Sequence, residues 1–446
     1  MRTRTAVATT ALAGILLTGC GSGTGDSPKT GMADKGGGSR ANAPAAPMKI
    51  AVPPKYDGGK GWDQELDWVP QEADTDPVAT DGTTVAYIIQ TGSGYAVQAR
   101  DGATGKVRWT SAPYLIPAAD ADESLADHMP ELITVRQGGR AYFAAWAVGT
   151  QPGDALARSK EVAQINIYAI DASGSSVAPL HHVSVPIGDF PGNRVKARDS
   201  GNGLLIVSAN SYTFSMAVDA VTGKVTRYDD RHPVPGCSDD CWEDSVVAVT
   251  SKGPVVTGMS GGLTVPGGWS SKDNAPKGLD RESNGTLTGV SHDLFVAYWR
   301  SGGASAAVWS AHDLQSGRLL ASTECDNGIE YDRYLPVTSP NGDYIALGSV
   351  VLDVRTGDTV CLSGDENQRR VQVISLANSG TGYGVTKTDA NTDTDVTPVV
   401  ELNVHTNSPK ALPEGTLPPV ATLNGGAVFT MRDSGAGLRL SVRKER

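Results

Sequence analysis

The sequence predicts an all-β protein, a β-propeller of about eight four-stranded blades with seven as the alternative count. Three observations carry this. One local pattern recurs along the chain: a β-like run ending in Asp, a tight turn closing in Thr-Gly or Ser-Gly, and another short β-like run. Glycine and proline are abundant, at 53 and 26 of 446 residues, as a protein of many tight turns requires. No segment of useful length shows helical periodicity.

The fullest copy of the pattern occupies residues 95–109, with Asp101, Thr104 and Gly105 in the turn and Trp109 in the following run. Further copies place Asp219, Thr222 and Gly223, then Asp313, Ser316 and Gly317, then Asp353, Thr356 and Gly357 at the same positions. Weaker copies lie at 167–174, around Asp171 and Gly174, and at 402–407, around Asn403 and Asn407. The aspartate can accept hydrogen bonds from its own turn, and glycine supplies the positive φ that closes a hairpin. One such turn carries little weight. Six, roughly 40–70 residues apart with one longer gap, indicate a repeat architecture.

Two more β-like runs precede each turn, at 77–80 and 84–90 for Asp101, with 344–348 ahead of 350–353 for Asp353. About four short strands per repeat is the make-up of a propeller blade. Residues 245–270 leave room for one further blade without a standard turn. After Asn403 the runs 420–423, 427–432 and 438–442 give three strands of a last blade, and 62–69 can supply its fourth. Pairing of the two termini would close the ring and hide its edges. The expected propeller domain is 49–446.

The N-terminus reads differently. Arg2 and Arg4 precede an apolar stretch at 6–17, too short to span a bilayer, and Leu17-Thr18-Gly19-Cys20 follows. This resembles a bacterial lipoprotein signal. The resemblance implies that residues 1–19 are removed and that Cys20 becomes the lipidated (palmitate-bearing) first residue. The protein is then exported and held by lipid at the outer face of the cytoplasmic membrane, or at an outer membrane where the cell has one. Residues 20–48, with Gly36-Gly37-Gly38-Ser39 as their type, bury too little apolar surface to order themselves and read as a flexible tether. No later segment holds the roughly 18 consecutive apolar residues of a spanning helix, so lipid is the expected membrane anchor.

Lys and Arg total 38 against 49 Asp and Glu, a net of −11, and loss of the two signal arginines takes it to −13. An acidic exported chain argues against a nucleic-acid partner and against a basic face for anionic lipid. Four cysteines follow Cys20: Cys237, Cys241, Cys325 and Cys361. An even number in an exported chain points to disulfides, with three connectivities open. Position favours Cys325–Cys361, at matching places in successive repeats, and Cys237–Cys241, within one short loop. Cys237 and Cys241 are also at a tolerable zinc spacing, but no second close pair accompanies them, and no metal is expected.

The repeats resemble the pyrroloquinoline-quinone-like β-propeller family, whose signature reads Ala-x-Asp-x-x-Thr-Gly-x-x-x-Trp. Ala99, Asp101, Thr104, Gly105 and Trp109 match in full, whereas Arg227, Ala321 and Cys361 stand at the Trp position of later copies. The resemblance covers about residues 60–446. It implies a propeller, and in the family's enzymes an adjacent Cys-Cys pair beneath the quinone and a bound calcium. This chain has no Cys-Cys and no position that maps onto a catalytic Asp, so neither quinone nor calcium is expected and no catalytic residue is assigned. The family includes a propeller lipoprotein that helps assemble outer-membrane β-barrels as a docking platform. The expected function is therefore a membrane-anchored, monomeric scaffold that binds an envelope protein. The alternative is a ligand-binding protein or quinone-dependent enzyme with its site at the central channel.

Several shorter strings read as structure. Gly258-Met259-Ser260-Gly261-Gly262 matches a nucleophile elbow, but residues 263–268 cannot form the helix it needs. Residues 389–395 alternate acids and amides as calcium loops do, yet Thr394 replaces the turn glycine and Val400 the closing acid. His181 and His182, as strand neighbours, face opposite sides. Tyr298, Trp299 and Trp309 read as core, and 229–232 as a charged loop.

Overall fold

The computed structural model describes residues 47–446 apart from 120–125, 127, 189–194, 209–213, 230–231, 233, 236–244, 258–261, 280–283, 301–306, 327–334, 387–397 and 434–436. The chain is an eight-bladed β-propeller. Seven blades follow in chain order at 78–111, 131–186, 195–228, 245–264, 284–324, 337–361 and 371–411. The eighth joins three strands at 421–445 to the strand Tyr56–Leu66. Blade 4 has three strands among the described residues. A four-residue helix, Ser271–Asn274, follows it, and no described helix is long and apolar enough to cross a membrane.

The apolar core is divided among the eight seams between blades. Val135, Trp146 and Ile165 of blade 2 meet Leu204, Ile206 and Met216 of blade 3, for example, and each other seam has its own cluster. A middle strand therefore buries both faces. Tyr344–Leu347 and Val350–Asp353 are buried at every position. Such strands read as continuous apolar runs, not as alternating ones.

The turns repeat to within a tenth of an ångström. The amide of Gly105, Gly223, Gly317 and Gly357 donates to the carbonyl of Asp101, Asp219, Asp313 and Asp353 at 2.8, 2.8, 2.8 and 2.9 Å. Each aspartate Oδ1 accepts from amides two or three residues on, including those of Thr104, Thr222, Ser316 and Thr356. The glycines have φ near +70 to +84°. Asn403 repeats the cap, with Asn407 at φ 47° in place of glycine. Asp171 does not close a hairpin. The chain after it forms Gly174–Val177, which adds in parallel to the outer strand of blade 1, and blade 2 takes His181–Pro186 as its own outer strand.

On three of these turns the preceding blade docks a ring. Trp62 Nε1 donates to Gly102 O at 3.1 Å, and a Cβ on Gly105 would lie 2.7 Å from its ring. Trp269 does the same to Leu314 O and Gly317. His181 bonds Val221 O at 2.7 Å and covers Gly223. Only glycine leaves room for a ring against the turn.

The termini close the ring. Tyr56–Leu66 pairs antiparallel with Gly437–Glu445, in register from Gly61↔Arg443 to Leu66↔Leu438. The strand starts earlier than the expected 62–69 and ends before Val69. Its position in the blade is the expected one.

Cys325 and Cys361 form a disulfide between blades 5 and 6, with Cα atoms 5.7 Å apart. Cys237, Cys241 and Cys20 lie outside the described residues, as do Gly258–Gly261 of the elbow string and the calcium-like string. Trp299 and Trp309 are buried in seams. The expected charged loop differs: Asp229 is buried and bonded by Arg227 and by His232, the latter at 2.8 Å. Pairing on both sides lets the carboxylate sit inside.

Candidate functional site

Where the inner strands end, beside the Asp–Gly turns, the central channel opens into a cavity of about 280 Å³. Seven blades line it. Its walls are small and apolar, from Ile133, Val290, Val337 and Ile374 among others. Two large apolar side chains stand exposed at its rim, Leu335 at 68% and Val420 at 41%.

The floor is charged. Arg136 of blade 2 lies in the field of three carboxylates, Asp199, Asp81 and Asp293, while its burial lowers its pKa. These aspartates hold one structural position: each precedes the turn aspartate of its blade, Asp219, Asp101 and Asp313, by twenty residues. Asp81 Oδ1 caps its own hairpin through the amides of Thr83 and Thr84, at 2.8 and 2.7 Å. Asp199 Oδ1 accepts from Gly201 N at 3.0 Å and from Arg136 N, across the seam, at 3.2 Å. Burial pushes Asp199 up to about 7 against these bonds. Arg198 is also lowered by burial and donates from Nη2 to Val247 O at 3.0 Å.

His292 completes the floor from blade 5. Its φ of 58° is left-handed, a conformation costly for a residue with a Cβ and often found at functional sites. Its Nδ1 bonds Thr338 Oγ1 at 2.7 Å. Burial, reinforced by Arg136, lowers its pKa to about 4, so the ring is neutral at pH 7. Guanidinium, neutral imidazole and a half-protonated carboxyl thus share one small opening. The arrangement suits a polar or anionic group inserted from outside, with apolar contact at the rim.

Asp199 sets a measurable pH dependence. Its folded pKa lies above its unfolded one of about 4, so the folded state binds the proton more tightly. Its contribution to stability falls as pH rises from about 4 through 7, and the full penalty stands above 7. Asp199→Asn is expected to be more stable than the parent at pH 8, with the gap closing towards pH 4. Glu131, also raised to about 7 by burial, titrates in both proteins and cancels from the difference. Urea unfolding at pH 4.5 and 8 checks this, and a gap that ignores pH would refute it.

The sequence-predicted residues divide into two groups. Asp101, Asp219 and Asp313 stand on the face where the channel opens, as turn caps outside the cavity lining. Arg136, Arg198, Asp199 and His292 were not predicted. The twenty-residue offset from the turn aspartate is the sequence signal that could have found Asp199 and Asp293.

No family model and no curated protein matches the sequence. Solved structures do match in shape. The WD40 domain of Toxoplasma gondii coronin is 9% identical, with 90% of each chain covered and a TM-score of 0.34. The rhamnogalacturonan lyase YesW is 12% identical over 91% of this chain and 75% of its own, also at 0.34. The tricorn protease is 10% identical over 80% of this chain and 41% of its own, at 0.23.

Proposed function

We propose that this chain is an exported lipoprotein, anchored through Cys20, whose propeller is a docking platform for a protein of the cell envelope. The signal-like segment at 1–19 and the tether at 20–48 support anchoring. The observation that carries docking is the channel mouth, where exposed Leu335 and Val420 flank a floor of Arg136, Arg198 and Asp199. Apolar rim contact with a charged centre is how a rigid ring can seat a partner side chain. Membership of the quinone-like repeat family is supported by the 99–109 string and by the docking of Trp62 on the Asp101 turn.

Cross-linking in intact cells, followed by mass spectrometry of what stays attached, tests this. The expected result is one dominant envelope protein, lost in Leu335→Asp without a change in melting temperature. Turnover of a substrate by the purified chain alone would overturn it. A second reading, a small-molecule site, is favoured by the cavity that brings His292 and Asp199 together. It predicts a melting shift with small anions and no cross-linked partner.

A further inference from the structure

We propose that Asp353, Asp358 and His405 form a site for a divalent transition ion, best suited to Zn2+, across the seam between blades 6 and 7. One ligand atom of each residue lies within 4.8 Å of the other two. Asp353 and Asp358 belong to the turn of blade 6, and His405 to that of blade 7. Asp358 and His405 are exposed, whereas Asp353 is fully buried.

The second observation is the state of Asp353. Its Oδ1 caps the turn through the amides of Arg355 and Thr356. Its Oδ2 is buried and has no hydrogen-bond partner. The equivalent oxygen of Asp101 accepts from Arg108, and that of Asp219 from Gln137. A buried carboxylate oxygen with nothing bound is costly, and a cation would relieve it. Tyr344 supplies the outer partner: its hydroxyl bonds His405 Nε2 at 3.0 Å, which leaves Nδ1 for a metal. A ligating imidazole held through its other nitrogen is the usual arrangement.

Two carboxylates and an imidazole favour zinc-like ions over calcium or magnesium. The present spread exceeds the roughly 3.4 Å between ligands at tetrahedral bonds of about 2.1 Å. Binding would have to draw the exposed Asp358 and His405 side chains inward over that difference. Asp343 and the Arg355 guanidinium also act on the Tyr344 hydroxyl, so the net charge near the ion is mixed. Three protein ligands leave a coordination position for water. The ion would join blades 6 and 7 as the disulfide joins 5 and 6. The pair of turns is invisible as a motif because His405 and Asp353 are far apart in sequence.

The test is calorimetric titration of Zn2+ into the chelator-stripped full chain. One equivalent should bind and raise the melting temperature. Asp358→Asn and His405→Gln should each weaken binding by at least the roughly tenfold that loss of an outer-shell partner costs. Both substitutions are at the surface, so their metal-free melting temperatures should match the parent's. His232→Gln, at a histidine held by Asp229, should bind as the parent does. No binding by the parent, or undiminished binding by Asp358→Asn and His405→Gln, would overturn the site.

Discussion

Arg443→Ala is expected to lower stability by about 3–5 kcal/mol and to free the N-terminal strand from the ring. Arg443 is fully buried in blade 8. Its Nη1 meets Asp63 Oδ1 at 2.6 Å, with both side chains almost wholly enclosed. The same guanidinium donates to Gly58 O, Trp62 O, Val442 O and Met48 O. Four of its five partners lie on the N-terminal segment, so one side chain fastens the start of the ring to its end. Asp63 Oδ2 in turn accepts from Met48 N at 2.7 Å, which fixes the chain where the tether is expected to end. Removing the arginine leaves a buried carboxylate without its counter-ion and takes a donor from four carbonyls, and that desolvation is the cost. Urea unfolding gives the magnitude, and hydrogen exchange of Tyr56–Leu66 locates it. Asp63→Asn combined with Arg443→Met should cost less than Arg443→Met alone, because no charge is then left buried. A single-variant loss below about 0.5 kcal/mol would show that the ring closes without this pair.

The blade plan was legible because it rests on local chemistry. An Asp cap and a glycine at positive φ are needed wherever this hairpin closes, so the pattern survives in Asp101, Asp219, Asp313 and Asp353. The closure was legible from the count of strands at the two ends. The docking partners were not. The Trp position after each turn drew attention, yet the ring that covers Gly105 is Trp62 and the one that covers Gly317 is Trp269, each from the blade before. Which blade packs on which turn is a tertiary fact. Asp171 failed for a related reason: its turn composition is right, but the chain beyond it pairs with blade 1.

The channel mouth was harder to read. Arg136 and Arg198 lie on the inner strands of two blades and His292 in the turn that follows the inner strand of a third, and nothing in its own segment sets any of them apart from the polar residues beside it. Their convergence exists only once the ring is closed. Single-chain reading therefore finds devices that are complete within one hairpin, and misses those assembled one residue per blade.

Loss of the Cys325–Cys361 bond should lower stability by about 4 kcal/mol, the chain-entropy value for a closed loop of this size. The bond closes a sequence separation of 36 residues, from the end of blade 5 to the end of blade 6. Cys325 is held independently of it. Its amide donates to Ala307 O at 3.0 Å, and its carbonyl accepts from Trp309 Nε1 at 3.1 Å. Cys361 sits at the end of the strand Thr359–Cys361, paired with Val350. The backbone on both sides should thus keep its place when the bond is absent, and the effect falls on the unfolded chain, which gains freedom. The reduced protein is expected to keep its native circular dichroism at 25 °C and to melt at lower temperature. A double Cys325→Ser, Cys361→Ser variant should melt like the reduced parent and ignore reductant. It is preferred to either single change, because a lone thiol can exchange with Cys237 or Cys241. If the double variant instead loses its native spectrum, the bond is holding blade 6 against blade 5 in the folded state, and the seam of Val296, Trp309 and Leu352 is too weak to do so alone.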